Sequence, residues 1–164
     1  KERFRTHFIG HTDQSGDLTG AAPHLLFVNI PGDSPGLIGI TEVGLRFADL
    51  WNPLIDGGAN ADQPLAADEI AFYLEHVENR LSNEFEAMQF TARAIADGYD
   101  RPDSLTDRVA TLNDNWSDSQ ASTVRSGLVS RMYELGLVER ERVGQRGIAY
   151  VLTEDGTTLI TNDT

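Results

Sequence analysis

Ser122-Thr123-Val124-Arg125-Ser126-Gly127-Leu128-Val129-Ser130-Arg131-Met132-Tyr133-Glu134-Leu135-Gly136-Leu137-Val138-Glu139-Arg140 begins as a helix and ends as a strand. Ala121, Val124, Leu128, Met132 and Leu135 recur at three- and four-residue steps, the period of one helix face. Ser117-Asp118-Ser119 supplies the polar start, because short oxygen-bearing side chains accept from the first free backbone N–H groups. Gly136 supplies the stop, since a residue without Cβ enters the left-handed region at little cost. Leu137-Val138-Glu139-Arg140 is then a short extended segment pinned to the core by Leu137 and Val138, and Val143-Gly144-Gln145-Arg146-Gly147 a tight turn. Ile148 to Leu152 returns as a second strand. Thr153-Glu154-Asp155-Gly156 opens a last short helix, with Thr153 as cap and Glu154 in the first turn, where a carboxylate suits the helix dipole.

Upstream, Ala67, Ile70, Ala71, Leu74, Val77 and Leu81 form a helical stripe, and Phe85, Met88, Ala92 and Ile95 form another that stops at Asp97-Gly98. The span 68–97 is either one long helix or two, with Ser82-Asn83 available to cap the second. Tyr99-Asp100-Arg101-Pro102-Asp103 is a turn, after which Asp103 or Ser104 caps a short helix carrying Leu105, Val109 and Leu112. Asn113-Asp114-Asn115-Trp116 breaks it.

The order from Glu84 to Ile160 is helix, short helix, helix, strand, glycine turn, strand and helix. It resembles the winged-helix domain of the helix-turn-helix class, as found in many archaeal and bacterial regulators. The resemblance is carried by residues 122–140 and by Tyr150-Val151-Leu152-Thr153-Glu154-Asp155-Gly156. It implies an α+β, mainly α fold. It further implies binding of double-stranded DNA in transcriptional control, with the third helix entering the major groove by its N-terminal half. That half holds Ser119, Gln120, Ser122, Thr123, Arg125 and Ser126, with Arg131 further along; Arg125 is the candidate to read guanine. Arg142, Gln145 and Arg146 lie in the wing, within reach of phosphates or a minor groove. The alternative is a winged-helix assembly module that binds protein and not DNA, its arginines paired with neighbours such as Glu139 and Glu141.

An echo occurs upstream. Ile38-Gly39-Ile40-Thr41-Glu42-Val43-Gly44 parallels residues 150–156, after a predicted strand His24–Ile30 and a turn Pro31–Gly36. This suggests tandem winged helices with a partial or degenerate N-terminal copy. The expected organisation is a first domain over 1–56, a linker over 57–66 that includes Gly57-Gly58-Ala59-Asn60, and a winged-helix domain over 67–164 with an N-terminal helical extension. Ile70, Leu74, Val77 and Leu81 are candidates for a homodimer seam within 68–97, or for simple packing.

Composition limits the remaining chemistry. The 164 residues carry 13 basic and 26 acidic side chains, a net charge of −13, and Lys1 is the sole lysine. Acidity without lysine resembles the habit of proteins from salt-in halophilic archaea, in which whole-chain charge is background and its local distribution is informative. Residues 67–118 are strongly acidic, whereas 119–148 hold Arg125, Arg131, Arg140, Arg142 and Arg146 against Glu134, Glu139 and Glu141. The tip Lys1, Arg3 and Arg5 is the other basic cluster. In molar salt an affinity built only on phosphate contacts collapses, so base and shape contacts must contribute much of the binding.

Absence of cysteine excludes disulfides, Cys-ligated metal and a cysteine nucleophile. There is no G-x-S-x-G elbow and no P-loop. His7 and His11 are four apart, like ligands on one helix face, but lack a third partner at useful spacing. No enzyme activity, metal or cofactor is expected. No apolar run reaches the roughly 20 residues that span a bilayer. The chain starts at Lys1 and not at Met and shows no secretory signal; the regulator reading carries the expectation of a cytoplasmic location.

Overall fold

Hydrophobic periods of three to four residues dominate the chain, and its computed structural model is accordingly α+β and mostly helical, with three two-stranded antiparallel sheets among the described residues. It describes residues 11–12, 15, 17–32, 36–57 and 64–161. Two compact units result, residues 1–62 with 66–81, and residues 63–65 with 82–164. Among the described residues no helix is long and apolar enough to cross a membrane.

In the first unit β1 (His11–Thr12) pairs with β2 (Leu18–Thr19), and α1 (Ala21–His24) follows. β3 (Val28–Asn29) pairs with β4 (Gly39–Ile40), then come α2 (Glu42–Ala48) and α3 (Ala67–Arg80). Phe27 stacks on Phe47 at 4.9 Å and on His76 at 5.4 Å, and Phe72 lies 5.8 Å from Phe47. This ring cluster ties α3 to the first unit, so the helix is not an extension of the C-terminal domain as the sequence suggested. Along the stripe expected as a dimer seam, Val77 is fully enclosed and Ile70, Leu74 and Leu81 are half-buried. Buried Glu69 accepts from the Asn52 side-chain amide at 2.8 and 3.0 Å and from the Ala66 N–H at 2.8 Å, which satisfies the start of α3.

The second unit holds α4 (Ser82–Ala96), α5 (Pro102–Ala110), α6 (Asp118–Glu134), the hairpin β5 (Val138–Val143) and β6 (Gly147–Leu152), and α7 (Glu154–Thr161). The span 68–97 is thus two helices, parted at Leu81, whose φ of −132° and ψ of 59° are non-helical. Arg101, not Asp103 or Ser104, is the N-cap of α5, because Pro102 takes the first helical position and the Ser104 hydroxyl accepts from the Arg101 N–H. Met88, Ala92, Leu105, Val109, Ala121, Leu128, Met132, Leu137 and Val138 are almost wholly enclosed. The hairpin register pairs Val138 with Leu152 and Arg142 with Ile148, and Gly144 turns it at a φ of 65°.

One hydrogen-bond pattern closes both hairpins. In the second unit Gly136 N–H donates to Tyr133 O and Leu137 N–H to Met132 O, a Schellman stop with Gly136 left-handed at φ 71°. Thr153 N–H donates to Leu137 O, its hydroxyl donates to Gly136 O at 2.8 Å, and it accepts from Gly156 N–H at 3.0 Å. In the first unit Leu26 N–H donates to Pro23 O and Phe27 N–H to Ala22 O. Thr41 N–H donates to Phe27 O, its hydroxyl donates to Leu26 O at 2.7 Å, and it accepts from Gly44 N–H at 3.1 Å. A methyl group on Gly44 would be driven into Phe27 O, and one on Gly156 into Leu137 O. A threonine with glycine three residues later is therefore a steric and hydrogen-bonding requirement in each unit. The copies differ in extent. His24 ends a helix and Leu26 is left-handed at φ 58°, so the expected strand from His24 shrinks to Val28–Asn29. Upstream of Ala21 the first unit has a small hairpin where the second has most of α6.

Candidate nucleic-acid interface

α6 starts on a capping box, with Ser117 Oγ accepting from the Gln120 N–H and Gln120 Oε1 accepting from the Ser117 N–H at 2.9 Å. The Gln120 side chain is thereby engaged at the cap. Ser119, Thr123 and Ser126 are exposed, with the Thr123 hydroxyl donating back to Ser119 O at 2.8 Å. Ser130, which the sequence reading passed over, continues this outward row of short hydroxyl side chains.

Arg125 does not project freely. It is half-buried, and it donates from Nε to Thr106 Oγ1 at 3.1 Å, from Nη1 to Tyr150 OH at 3.3 Å and from Nη2 to Ser122 Oγ at 3.4 Å. The guanidinium ties α5, α6 and β6 together, so a base contact by Arg125 would compete with these three bonds. Ser122 is half-buried and serves the same contact. Arg131 is engaged elsewhere: Glu84 on α4 holds it in an ion pair at 3.1 Å, with Glu84 only 12% exposed.

Arg142, Gln145 and Arg146 are exposed on the hairpin, and no ion pair holds these two arginines among the described residues. Strand alternation places Arg140 and Arg142 on the hairpin face that carries Ile148 and Tyr150, and Glu139 and Glu141 on the other. Between that face and α6 runs a cleft of about 260 Å³ lined by Arg125, Ser126, Ser130, Arg140, Ile148 and Tyr150. Arg140 donates to Ser130 Oγ at 3.2 Å and its guanidinium lies 4.6 Å from the centre of the Tyr133 ring. Arg140, Ser130 and Tyr150 went unassigned in the sequence, although the two-residue period of a strand puts 140 beside 142.

Nothing among the described residues groups three His, Asp or Glu side chains for a metal. Lys1, Arg3, Arg5, His7, residues 58–63 of the expected linker and the side chain of His11 lie outside what the structure describes. No known family matches the chain, and no characterised protein and no solved structure is significantly similar to it.

Proposed function

We propose that residues 82–161 form a winged-helix unit that binds double-stranded DNA in a sequence-dependent way, in transcriptional control. The observation that carries this reading is the distribution of positive charge. In a chain of net charge −13, Arg125 and Arg140 share a cleft lined by no carboxylate, and Arg142 and Arg146 stand exposed on the adjoining hairpin. The exposed row Ser119, Thr123 and Ser126 lets α6 approach base edges closely, with hydroxyls that donate or accept. Phosphate contacts then come from the hairpin and the cleft, and base contacts from the hydroxyl row. Selection of bound sequences from random duplexes in molar KCl tests the reading: enrichment of a motif supports it, and recovery of unenriched DNA or none refutes it.

A second reading has its own observation. The first unit exposes Leu37, Ile38, Ile40, Leu45, Trp51 and Ile55, the last at 84%. Apolar exposure of this kind favours a protein-contact module in residues 37–55. The homodimer through 68–97 has less support, because Val77 of its apolar stripe is already enclosed and Ile70, Leu74 and Leu81 are half-buried.

A further inference from the structure

We infer that the cleft between α6 and the β5–β6 hairpin is a seat for a single phosphate group; as a DNA contact it rests on the function proposed above. Three observations lead to it. The first is charge without a counterion. This unit pairs guanidiniums with carboxylates elsewhere, Arg131 with Glu84 at 3.1 Å and Arg101 with Asp100 at 3.4 Å. In the cleft it does not: Arg125 and Arg140 meet hydroxyl oxygens and a tyrosine ring. A half-buried cation left with neutral partners is poorly compensated, and an anion completes it.

The second is donor supply. A guanidinium has five N–H groups in a fixed fork. Arg125 directs three at protein hydroxyls and Arg140 one, so both retain donors, and Ser126 Oγ lies beside them on the cleft wall. The acceptor oxygens of a tetrahedral phosphate match such a set. The cleft's volume of about 260 Å³ falls below the range of about 300–1,000 Å³ usual for whole small-molecule sites, which suits one group and its bridging waters.

The third is an internal control. Aligning the two hairpins on their shared stop and cap places Ile30 where Arg140 stands, and Ile38 where Tyr150 stands. The same backbone in the first unit thus carries aliphatic groups there, so the cationic lining belongs to the second unit and is no by-product of the fold.

A phosphate of this kind comes from a duplex backbone or from a free phosphate monoester. Two measurements on the intact chain separate them. In the first, the Arg125 Nε–Hε NMR signal is followed while inorganic phosphate, adenosine monophosphate or a short duplex is added at constant KCl. In the second, duplex affinity against KCl is compared for the parent and Arg140→Gln, an exposed site whose loss leaves folding intact by melting. A backbone seat moves the Arg125 signal with duplex alone. It also costs Arg140→Gln roughly tenfold in affinity and about 0.9 in the logarithmic salt slope. Movement with phosphate or the nucleotide, in a chain that binds no duplex, upholds the seat and removes the DNA reading. A duplex-binding chain whose Arg125 signal stays fixed, and whose Arg140→Gln variant keeps the parent's affinity and slope, removes the seat and leaves the DNA reading. A signal unmoved by all three probes overturns the inference.

Discussion

Thr153→Val and Thr41→Val should cost the two units nearly the same stability. Each threonine hydroxyl caps a helix, accepting from Gly156 N–H at 3.0 Å or from Gly44 N–H at 3.1 Å. Each also donates to the carbonyl of the left-handed residue, Gly136 O at 2.8 Å or Leu26 O at 2.7 Å. Valine keeps the β-branched shape and removes both bonds. Loss of a cap costs about 1 kcal/mol, and loss of a neutral hydrogen bond to an exposed carbonyl at most about another 1. The expected loss is therefore at most about 2 kcal/mol at each site, or at most roughly 10 °C in midpoint for a unit of this size. The chain carries its own reporters, Trp51 in the first unit and Trp116 in the second, so a Trp→Phe change at either leaves fluorescence from one unit. Urea unfolding in molar KCl would be followed on each single-tryptophan background. Losses below about 0.5 kcal/mol at either site, or losses differing by more than twofold, would refute the energetic equivalence of the two hairpin closures.

Other substitutions address separate links. Gly156→Ala should destabilise the second unit by more than the roughly 1–3 kcal/mol usual for overpacking, because the obstacle is the Leu137 backbone carbonyl; circular dichroism melts would show it. Leu26→Gly should stabilise the first unit by about 1 kcal/mol, since it removes a left-handed non-glycine residue whose side chain is already 46% exposed. A melting point at or below the parent's would contradict that. Arg125→Ala should weaken duplex binding evenly across sequences and lower the melting point, because three hydroxyl partners lose their donor; a change of preference at a single base pair would point to the guanine reader instead. Glu84→Gln should destabilise the second unit and not change base preference, as it strands the half-buried Arg131.

The parts of the fold that could be read from the sequence are those held by local rules. Gly136, the paired glycines of the turn and Thr153 each mark a backbone event, and the structure places those events there. Reading failed where the marker was missing. Leu26 turns left-handed without being glycine, so the apolar run Leu25-Leu26-Phe27-Val28 imitates a strand that is mostly a helix stop. The division between the units was hidden for another reason: α3 and α4 have similar apolar stripes, and it takes long-range contacts, the rings of Phe27, Phe47 and Phe72 and the Asn52–Glu69 hydrogen bonds, to show which unit claims α3. Arg125 offered a usable signal. It falls four residues after Ala121 and three before Leu128, both enclosed, so helical spacing alone puts it at the edge of the buried face. Arg131, three after Leu128 and four before Leu135, follows the same logic.

That half-burial bears on the salt dependence of the DNA binding proposed above. At about 1 M ionic strength the Debye length is only about 3 Å, so exposed charges act only in contact. Arg142 and Arg146 on the open hairpin are fully subject to that screening. Arg125 is set differently: protein shields it on one side, hydroxyls fix its orientation, and its charge faces a cleft lined by no carboxylate. A phosphate that enters the cleft sheds water and meets a preoriented fork, so less of its interaction is open to competition from bulk ions. Binding organised this way should lose affinity more gently with rising KCl than the number of arginines on the face implies. A slope as steep as four independent phosphate contacts predicts, about −3.6 on the logarithmic scale, would mean that the cleft has no special standing among them.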